Sequence, residues 1–308
     1  MPDLKKRYQG CLLGLAAGDA VGTSVEFKTR GSFPPVIDML GGGPFGLQPG
    51  QWTDDTSMAL CLAHSLLECQ GFDAEDQMQR YNRWRTEGYM SSNGRCFDIG
   101  VTVSEALSQY LSHGDPFAGP TSPFAAGNGS LMRLAPVVLF YNSKLEQSLH
   151  FAGESSRTTH AARECIDACR YFAALLHCAL AGMDKQQLLA NQYYSANTRK
   201  IITLQQLSYL DKDIQQIRGS GYVVDSLEAA LWCFAHSNDF KQAILMAANL
   251  GDDADTTAAI CGQIAGAYYG LDGIPPNGRK RSPWPKKYYS WQSNYTPIIY
   301  EVNGVISH

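Results

Sequence analysis

The feature that most constrains the fold is a stripe of glycines in an apolar N-terminal segment, at Gly10, Gly14, Gly18 and Gly22. The apolar residues around the stripe follow the 3.6-residue period of an α-helix. Each glycine inside a helix costs about 1 kcal/mol relative to alanine, so a stripe of them needs a compensating contact. Small residues four positions apart let a second backbone approach closely. Gly262 and Gly266 repeat the spacing, and we expect these helices to pack tightly, deep in a bundle.

Helical periodicity continues through most of the chain, and sustained strand alternation is absent. Residues 57–69 are apolar nearly all round, which predicts a central buried helix. Further helices are predicted near residues 74–87, 99–112, 145–156, 160–182, 185–193, 199–210, 227–234, 240–247 and 254–269. We therefore predict an all-α fold with a single domain over residues 1–308, on which the tail 271–308 packs its aromatic side chains.

The overall composition argues against several classes of protein. A net charge of -4 provides no electrostatic footprint for nucleic acid or an anionic membrane, and the basic residues of the tail are too few to change this. No uncharged apolar run reaches the 18 residues of a membrane span, and the N-terminus does not resemble a signal peptide. The nine cysteines form no Cys-x-x-Cys pair, which favours reduced core thiols. We expect a cytoplasmic monomer that contacts neither nucleic acid nor membrane.

Two short acidic clusters precede very apolar helices, at residues 53–56 and 252–256. Thr and Asp are preferred helix N-caps, and first-turn carboxylates interact favourably with the helix dipole, so capping is one interpretation. Capping uses only one or two side chains, however, whereas these nine residues supply five carboxylates and three hydroxyls. Without compensation, so many carboxylates beside a buried core would repel one another and lose hydration.

A hard divalent cation would resolve that repulsion. Magnesium, manganese and calcium prefer oxygen ligands, and neither cluster contains the His or Cys that softer metals favour. Five carboxylates exceed the needs of one ion but suit two ions about 3.5–4 Å apart. The residues alone thus predict a dinuclear, oxygen-ligated metal site.

Together with other segments in a fixed order, the acidic clusters resemble the ADP-ribosylglycohydrolase family, which includes the dinitrogenase reductase-activating glycohydrolase. The resemblance runs from about residue 7 to 275. The segments that carry it are Gly10-Cys11-Leu12-Leu13-Gly14, Gly18-Asp19-Ala20-Val21-Gly22, Glu26, Thr53-Asp54-Asp55-Thr56, Gly127-Asn128-Gly129-Ser130-Leu131-Met132-Arg133, Thr159-His160 and Gly251-Asp252-Asp253-Ala254-Asp255-Thr256.

The resemblance implies an orthogonal all-α bundle with two Mg²⁺ or Mn²⁺ ions at the floor of a cleft. The implied metal ligands are Thr53, Asp54, Asp55, Asp253, Asp255 and Thr256. Asp252 stands where many relatives have a glycine, so we expect it outside the ligand set, where it could accept a hydrogen bond that supports a ligand.

Two carboxylates outside the clusters are implied to lie near the reacting bond. Glu26 resembles a mobile carboxylate near the metals, either a ligand when no substrate is bound or a gate over the cleft. Without the resemblance, an exposed loop position would be the default interpretation. Asp98 resembles the carboxylate that faces the scissile bond in arginine-specific bacterial members, where it could hold a guanidinium bidentately. Asp98 could instead be the N-cap of the helix predicted at 99–112.

The resemblance also implies that Gly127, Asn128, Gly129, Ser130, Met132 and His160 bind substrate. Glycines let backbone N–H groups converge on a phosphate, although Gly-Asn-Gly is also a common turn. Likewise, His160 could face ADP-ribose or could be a capping or core histidine. Relatives stack the adenine on an aromatic ring, for which Phe124 and Tyr141 are the candidates.

The implied reaction is hydrolysis of the bond between ADP-ribose and a protein side chain, with arginine the favoured leaving group. Glu26, Asp55 or Asp98 would move the proton. Alternatives are hydrolysis of serine-linked, other O-linked or small-molecule ADP-ribose conjugates, a non-catalytic family member that binds ADP-ribose or a toxin, and a dinuclear phosphoesterase. The expected partner is therefore an ADP-ribosylated protein or a small ADP-ribose conjugate.

Overall fold

The computed structural model describes residues 2–275, and over this range the regular structure is helical apart from two isolated β-bridges. The α-helices are α1 Leu4–Gly22, α2 Asp54–Glu68, α3 Ala74–Glu87, α4 Val101–His113, α5 Ala135–Phe140, α6 Leu145–Arg157, α7 Arg163–Ala181, α8 Lys185–Leu189, α9 Arg199–Gln205, α10 Val223–Ala235, α11 Phe240–Ala248 and α12 Ala254–Tyr269. The prediction of an all-α fold is confirmed.

The glycine stripe of α1 packs directly against α12. A Cβ atom added to Gly14 would overlap the carbonyl oxygen of Gly262, and one added to Gly18 would overlap that of Ala258. The contact is reciprocal, because a Cβ on Gly266 would overlap the carbonyl oxygen of Gly10. The two backbones therefore touch along most of both helices, as the spacing predicted, and the loss of helix propensity is offset by close packing.

Helix ends follow local capping chemistry. The carboxylates of Asp3, Asp73 and Asp184 accept backbone N–H bonds at the starts of α1, α3 and α8. Gly88 and Gly114 end α3 and α4 in the left-handed conformation that glycine adopts readily. These residues explain why most helices begin and end close to their predicted positions.

Three elements differ from the prediction. The predicted helix 185–193 ends early, since α8 stops at Leu189. The short helix α5 was not predicted, because its six residues carry less than two turns of periodicity and include Pro136 in the first turn. The predicted helix 199–210 ends at Gln205, since Leu207 adopts a left-handed backbone with φ of 61° that no α-helix accommodates.

The core has a large and a small cluster of buried apolar side chains. The large cluster includes α1, α7, α10 and α12, while the small one joins α2, α3 and α4 through Met58, Tyr81, Trp84 and Leu107. All nine cysteines are free, and seven of them are buried, in agreement with the predicted core thiols. Within residues 2–275, no helix has both the length and the apolarity required to cross a bilayer. The predicted packing of the tail falls almost entirely outside the described residues.

Candidate metal centre and cleft

The starts of α2 and α12 meet beside the C-terminal half of α1. Asp19 of α1, Asp55 of α2 and Asp255 of α12 are all buried, and one carboxylate oxygen of each lies within 4.8 Å of the other two. A second trio adjoins the first, because oxygens of Glu26, Asp98 and Asp255 also lie within 4.8 Å of one another. Asp255 belongs to both trios, so the structure has two neighbouring all-oxygen clusters with one shared carboxylate.

The arrangement fits a bound cation better than a set of hydrogen bonds. Thr53 Oγ1 lies 2.9 Å from Asp19 Oδ1, 3.1 Å from Asp55 Oδ2 and 3.4 Å from Asp255 Oδ2. One hydroxyl proton cannot satisfy three carboxylate oxygens. In addition, Oδ1 of Asp55 and Oδ1 of Asp255 are buried without a hydrogen-bond partner among the described residues. The oxygen-only donors and the unpartnered atoms fit a hard divalent ion.

The same crowding raises the pKa of the carboxyl groups. Burial, followed by the charges of neighbouring carboxylates, holds the pKa values of Asp54, Asp55 and Asp255 well above their usual range. Burial and the Asp98 charge raise the pKa of Glu26 to about 9, and burial raises that of Asp98 to about 7. Without a cation, the cluster could be neutralised only by protons.

Helix capping does not account for the acidic clusters. Thr53 and Asp253 occupy the N-cap positions of α2 and α12, but neither side chain makes a capping hydrogen bond. Asp253 Oδ2 instead accepts from Asn128 Nδ2 at 2.6 Å. Asp98 is likewise not a cap, since Gly100 occupies that position in α4 and the Asp98 carboxyl lies within 4.8 Å of those of Glu26 and Asp255.

Asp19 is the site residue that the sequence reasoning missed. It is fully buried, and its carboxylate accepts bonds of 2.6–3.0 Å from the backbone N–H and hydroxyl groups of both Thr53 and Thr56. Burial is the main cause that raises its pKa, to about 6. The available signal was a single carboxylate within the glycine and alanine interior of α1, because such a group is rarely buried without partners.

The loop carboxylates are held by unusual backbone. Phe27, Asp98 and Asp252 all have positive φ, at 63°, 59° and 55°, and all three line one cleft. Phe27 N–H donates to Asp252 O at 2.7 Å, and Asp252 N–H donates to Lys28 O at 2.8 Å, so the segment after α1 is tied to the segment before α12. Glu26 is buried, not an exposed loop residue, whereas the Asp252 side chain is exposed.

The cleft brings most of the predicted residues together. Its lining includes Glu26, Asp54, Asp98, Gly127, Asn128, Gly129, Met132, His160, Asp253, Asp255 and Thr256. Thr53 and Asp55 lie buried behind this lining, next to Asp19 and Asp255. Asp54 and Asp253 line the cleft but belong to neither trio.

Residues 127–130 form a loop anchored to the start of α10. Asn128 N–H donates to Gly221 O at 3.1 Å, and Val223 N–H donates to Ala126 O at 3.0 Å. The Asn128 N–H is used in this way, whereas the N–H groups of Gly127, Gly129 and Ser130 have no acceptor among residues 2–275. The Ser130 hydroxyl is paired with Ser156 Oγ at 2.8 Å and does not line the cleft.

The two glycines of this loop accommodate the His160 ring. A Cβ on Gly129 would lie 2.8 Å from His160 Cε1, and a Cβ on Gly127 would lie 3.3 Å from His160 Nε2. Neither glycine has a positive φ, so close approach of the ring, not backbone freedom, requires glycine here. His160 is therefore neither a helix cap nor a core residue remote from the cleft.

The two candidates for adenine stacking lie elsewhere. Tyr141 is buried, accepts a hydrogen bond from Phe72 N–H at 2.8 Å and stacks on Phe151. Phe124 is fully exposed. Neither ring is part of the cleft lining.

Comparison with known proteins connects this cleft to one family. The ADP-ribosylglycohydrolase family model matches residues 1–288. The ADP-ribosylarginine hydrolase Tri1 of Pseudomonas putida (strain GB-1) is 48% identical over 278 residues, which cover 90% of this chain and 74% of that protein. The ADP-ribosyl-[dinitrogen reductase] glycohydrolase of Rhodospirillum rubrum is 31% identical over 89% of each chain.

More distant relatives and a solved structure agree with this match. Human ADP-ribosylhydrolase ARH3 is 28% identical over 87% of each chain. A solved ADP-ribosylglycohydrolase-related protein complex superimposes with a TM-score of 0.83 at 39% identity, covering 99% of both chains. The chain therefore belongs to the ADP-ribosylglycohydrolase family.

Proposed function

We propose that this chain is a dinuclear metal-dependent hydrolase that removes ADP-ribose from arginine side chains. The observation that carries the proposal is the pair of carboxylate trios that share Asp255 beneath a cleft closed on one side by a glycine loop. Two relatives at 44–48% identity are named ADP-ribosylarginine hydrolases, which favours arginine as the leaving group.

Asp55 and Asp255 of the trios, together with Asp54 and Asp253 at the adjoining cleft lining and the hydroxyls of Thr53 and Thr256, would hold two Mg²⁺ or Mn²⁺ ions. Glu26 is a further ligand candidate through its contact with Asp255. Bound ions of this kind polarise substrate oxygens and lower the pKa of water. Asp19 accepts four hydrogen bonds from Thr53 and Thr56, so its role is to position the start of α2.

The remaining cleft residues bind substrate and move protons. Asp98 presents a carboxyl group from a loop at the cleft wall, where it can pair with the planar guanidinium of arginine. Glu26 and Asp98 face the cleft beside Asp255, so they are the candidates that exchange a proton with substrate or water there. The Gly127–Ser130 loop and His160 would hold the pyrophosphate.

The test is ADP-ribose release from ADP-ribosyl-arginine and ADP-ribosyl-serine peptides, with Mn²⁺, Mg²⁺ or EDTA. We expect metal-dependent release from arginine, with rates at least 100-fold lower in Asp55→Asn, as expected when a metal ligand is lost. Glu105→Gln, which removes one exposed carboxylate from α4, is the matched control. Release from the serine peptide alone would show that the leaving group is serine and not arginine. ADP-ribose binding without turnover of either substrate would indicate a non-catalytic family member.

A further inference from the structure

Arg133 is a buried cation beneath the glycine loop. Its Nη1 donates to Gly129 O at 2.8 Å, and its Nη2 donates to Thr159 Oγ1 at 2.8 Å and, at 3.2 Å, to Ser155 O and Thr158 Oγ1. All four acceptors are neutral oxygens, and within residues 2–275 no carboxylate pairs with the guanidinium. A guanidinium only donates, so the Thr159 hydroxyl must accept from Arg133.

The Thr159 hydroxyl has a single proton and a single place to donate it. Thr159 is fully buried, and His160 Nδ1 lies 2.9 Å from its Oγ1. Over the described part of the chain, Nδ1 is the one further partner of this hydroxyl. If Nδ1 carried the ring proton, the hydroxyl hydrogen would be buried without an acceptor, which is more unfavourable than the alternative. Thr159 therefore donates, and Nδ1 accepts.

The imidazole of His160 is neutral, so it has one ring proton to place. Burial, reinforced by the Arg133 charge, lowers the pKa of His160 to about 3. With Nδ1 acting as the acceptor, the proton resides on Nε2. The ring lines the cleft beside Gly127 and Gly129, and Nε2 has no hydrogen-bond partner among residues 2–275.

We propose that Arg133 and Thr159 are positioning residues that hold His160 as the Nε2–H tautomer, so that its ring donates a hydrogen bond into the cleft to a pyrophosphate oxygen. The opposite tautomer would present a lone pair to that oxygen and repel it. The identity of the acceptor rests on the proposed function, whereas the tautomer is a property of the free protein. The two parts can therefore be tested separately.

The tautomer is measured by two-bond ¹H–¹⁵N correlation spectra of the full-length, metal-loaded protein without ligand, with the His160 signals assigned by their loss in His160→Gln. We expect protonated Nε2 and unprotonated Nδ1 in the wild type and in Thr159→Ser, which keeps the hydroxyl. Thr159→Val removes the hydroxyl at similar volume and should shift protonation toward Nδ1. A wild-type ring protonated at Nδ1, or a spectrum that does not change in Thr159→Val, would refute the proposal that Arg133 and Thr159 set the His160 tautomer.

The consequence for the ligand is measured by calorimetric titration with ADP-ribose in the presence of Mn²⁺. Loss of one hydrogen bond should weaken binding about fivefold in Thr159→Val, while Thr159→Ser keeps wild-type affinity. Unchanged ADP-ribose affinity in a Thr159→Val protein whose tautomer has shifted would refute donation to the ligand. A wild-type protein that does not bind ADP-ribose would contradict the proposed function. The spectra would still show whether Thr159 sets the His160 tautomer.

Discussion

At the scale of single residues, the site is defined by atoms that lack enough partners. Asp55 Oδ1 and Asp255 Oδ1 are buried without hydrogen bonds among the described residues, and Thr53 Oγ1 faces three carboxylate oxygens with one proton. Unsatisfied buried groups of this kind are rare in folded proteins unless a function requires them. The carboxylates are thus arranged to suit a cation, at the expense of the stability of the metal-free fold.

Asp55→Asn should separate these two effects. Replacing one of the crowded carboxyl groups with a neutral amide relieves repulsion in the metal-free protein, so the free energy of unfolding in EDTA should rise by about 1–2 kcal/mol. Mn²⁺ affinity should fall at least 100-fold. Chemical denaturation and calorimetric titration measure the two quantities. Wild-type Mn²⁺ affinity in this variant would show that Asp55 is not a ligand.

Gly129→Ala tests the contact between the loop and His160. The added Cβ would lie 2.8 Å from His160 Cε1, so the ring or the loop must move. ADP-ribose affinity should fall about tenfold while Mn²⁺ affinity stays unchanged, because the carboxylates are not displaced. Gly71→Ala is the control, since its Cβ would meet only an ordinary contact at 3.6 Å. Equal ADP-ribose affinity in both variants would contradict the proposed role of the ring.

Residue types alone predicted part of the candidate site. Oxygen ligands without His or Cys indicated a hard metal, but not which carboxylates share an ion. Asp19 was missed because its partners, Thr53 and Thr56, are distant in sequence and come together only when α2 packs against α1. Tyr141 was misjudged for the same reason, since its neighbours Phe72 and Phe151 are set by tertiary packing.

At the scale of helices, the α1–α12 contact positions the site. Where two backbones are in direct contact, no side chains between them can adjust, so the relative position of α1 and α12 is fixed. Asp19 and Asp255 lie on these two helices, and their separation is therefore fixed as well. Glu26 and Asp98, in contrast, are carried by loops with left-handed residues nearby. The helices therefore fix the floor of the cleft, and the loops form its walls.

Gly18→Ala should destabilise the protein although alanine favours helices. The added Cβ would overlap the carbonyl oxygen of Ala258. We expect this overpacking to lower the free energy of unfolding by about 1–3 kcal/mol, which outweighs the gain of about 1 kcal/mol in helix propensity. Urea denaturation of the metal-free protein measures the net loss. Lys5→Ala changes an exposed residue of the same helix and should have little effect. A Gly18→Ala protein more stable than the wild type would refute the close packing.

At the scale of the whole molecule, periodicity predicted the all-α fold and most helix bounds, while ligand chemistry and the family resemblance predicted the joining of the two acidic clusters. The sequence could not predict α5, the early end of α9 at Gln205 or the loop geometry around Asp98, since each depends on tertiary contacts or on single left-handed residues. The single domain, the monomeric state and the cytoplasmic location stay predictions.

The crowded carboxylates also predict how global stability depends on pH. Glu26 and Asp98 have folded-state pKa values raised to about 9 and about 7, above their usual values near 4. The folded, metal-free protein therefore holds protons that the unfolded chain has released, and this stabilisation is lost as the pH rises through the folded values. From pH 6.5 to 7.5 the free energy of unfolding in EDTA should fall, by up to about 1.4 kcal/mol for each proton held.

The chosen interval keeps other groups from interfering. His160 and His177, whose pKa values are lowered by burial, oppose this trend mainly below about pH 6.5, where unfolded histidines become protonated, and the thiols titrate mainly above the interval. With saturating Mn²⁺ this fall should disappear, because the ions displace the held protons and the folded and unfolded chains then carry the same number of protons on these carboxyls. Denaturation curves at both pH values, with and without Mn²⁺, test this. A metal-free protein that gains stability toward pH 7.5 would contradict it.

The partnership of α1 with α12 has a consequence for biosynthesis. Translation delivers α1 and α2 early, but the helix that completes both carboxylate trios emerges only after all the other described helices have left the ribosome. A nascent chain that ends before residue 254 exposes the glycine face of α1 and lacks Asp255, so it has neither a packed α1 nor a complete ion site. Under the proposed function, metal loading would be confined to finished molecules, and chains released early should be substrates for chaperones and proteases.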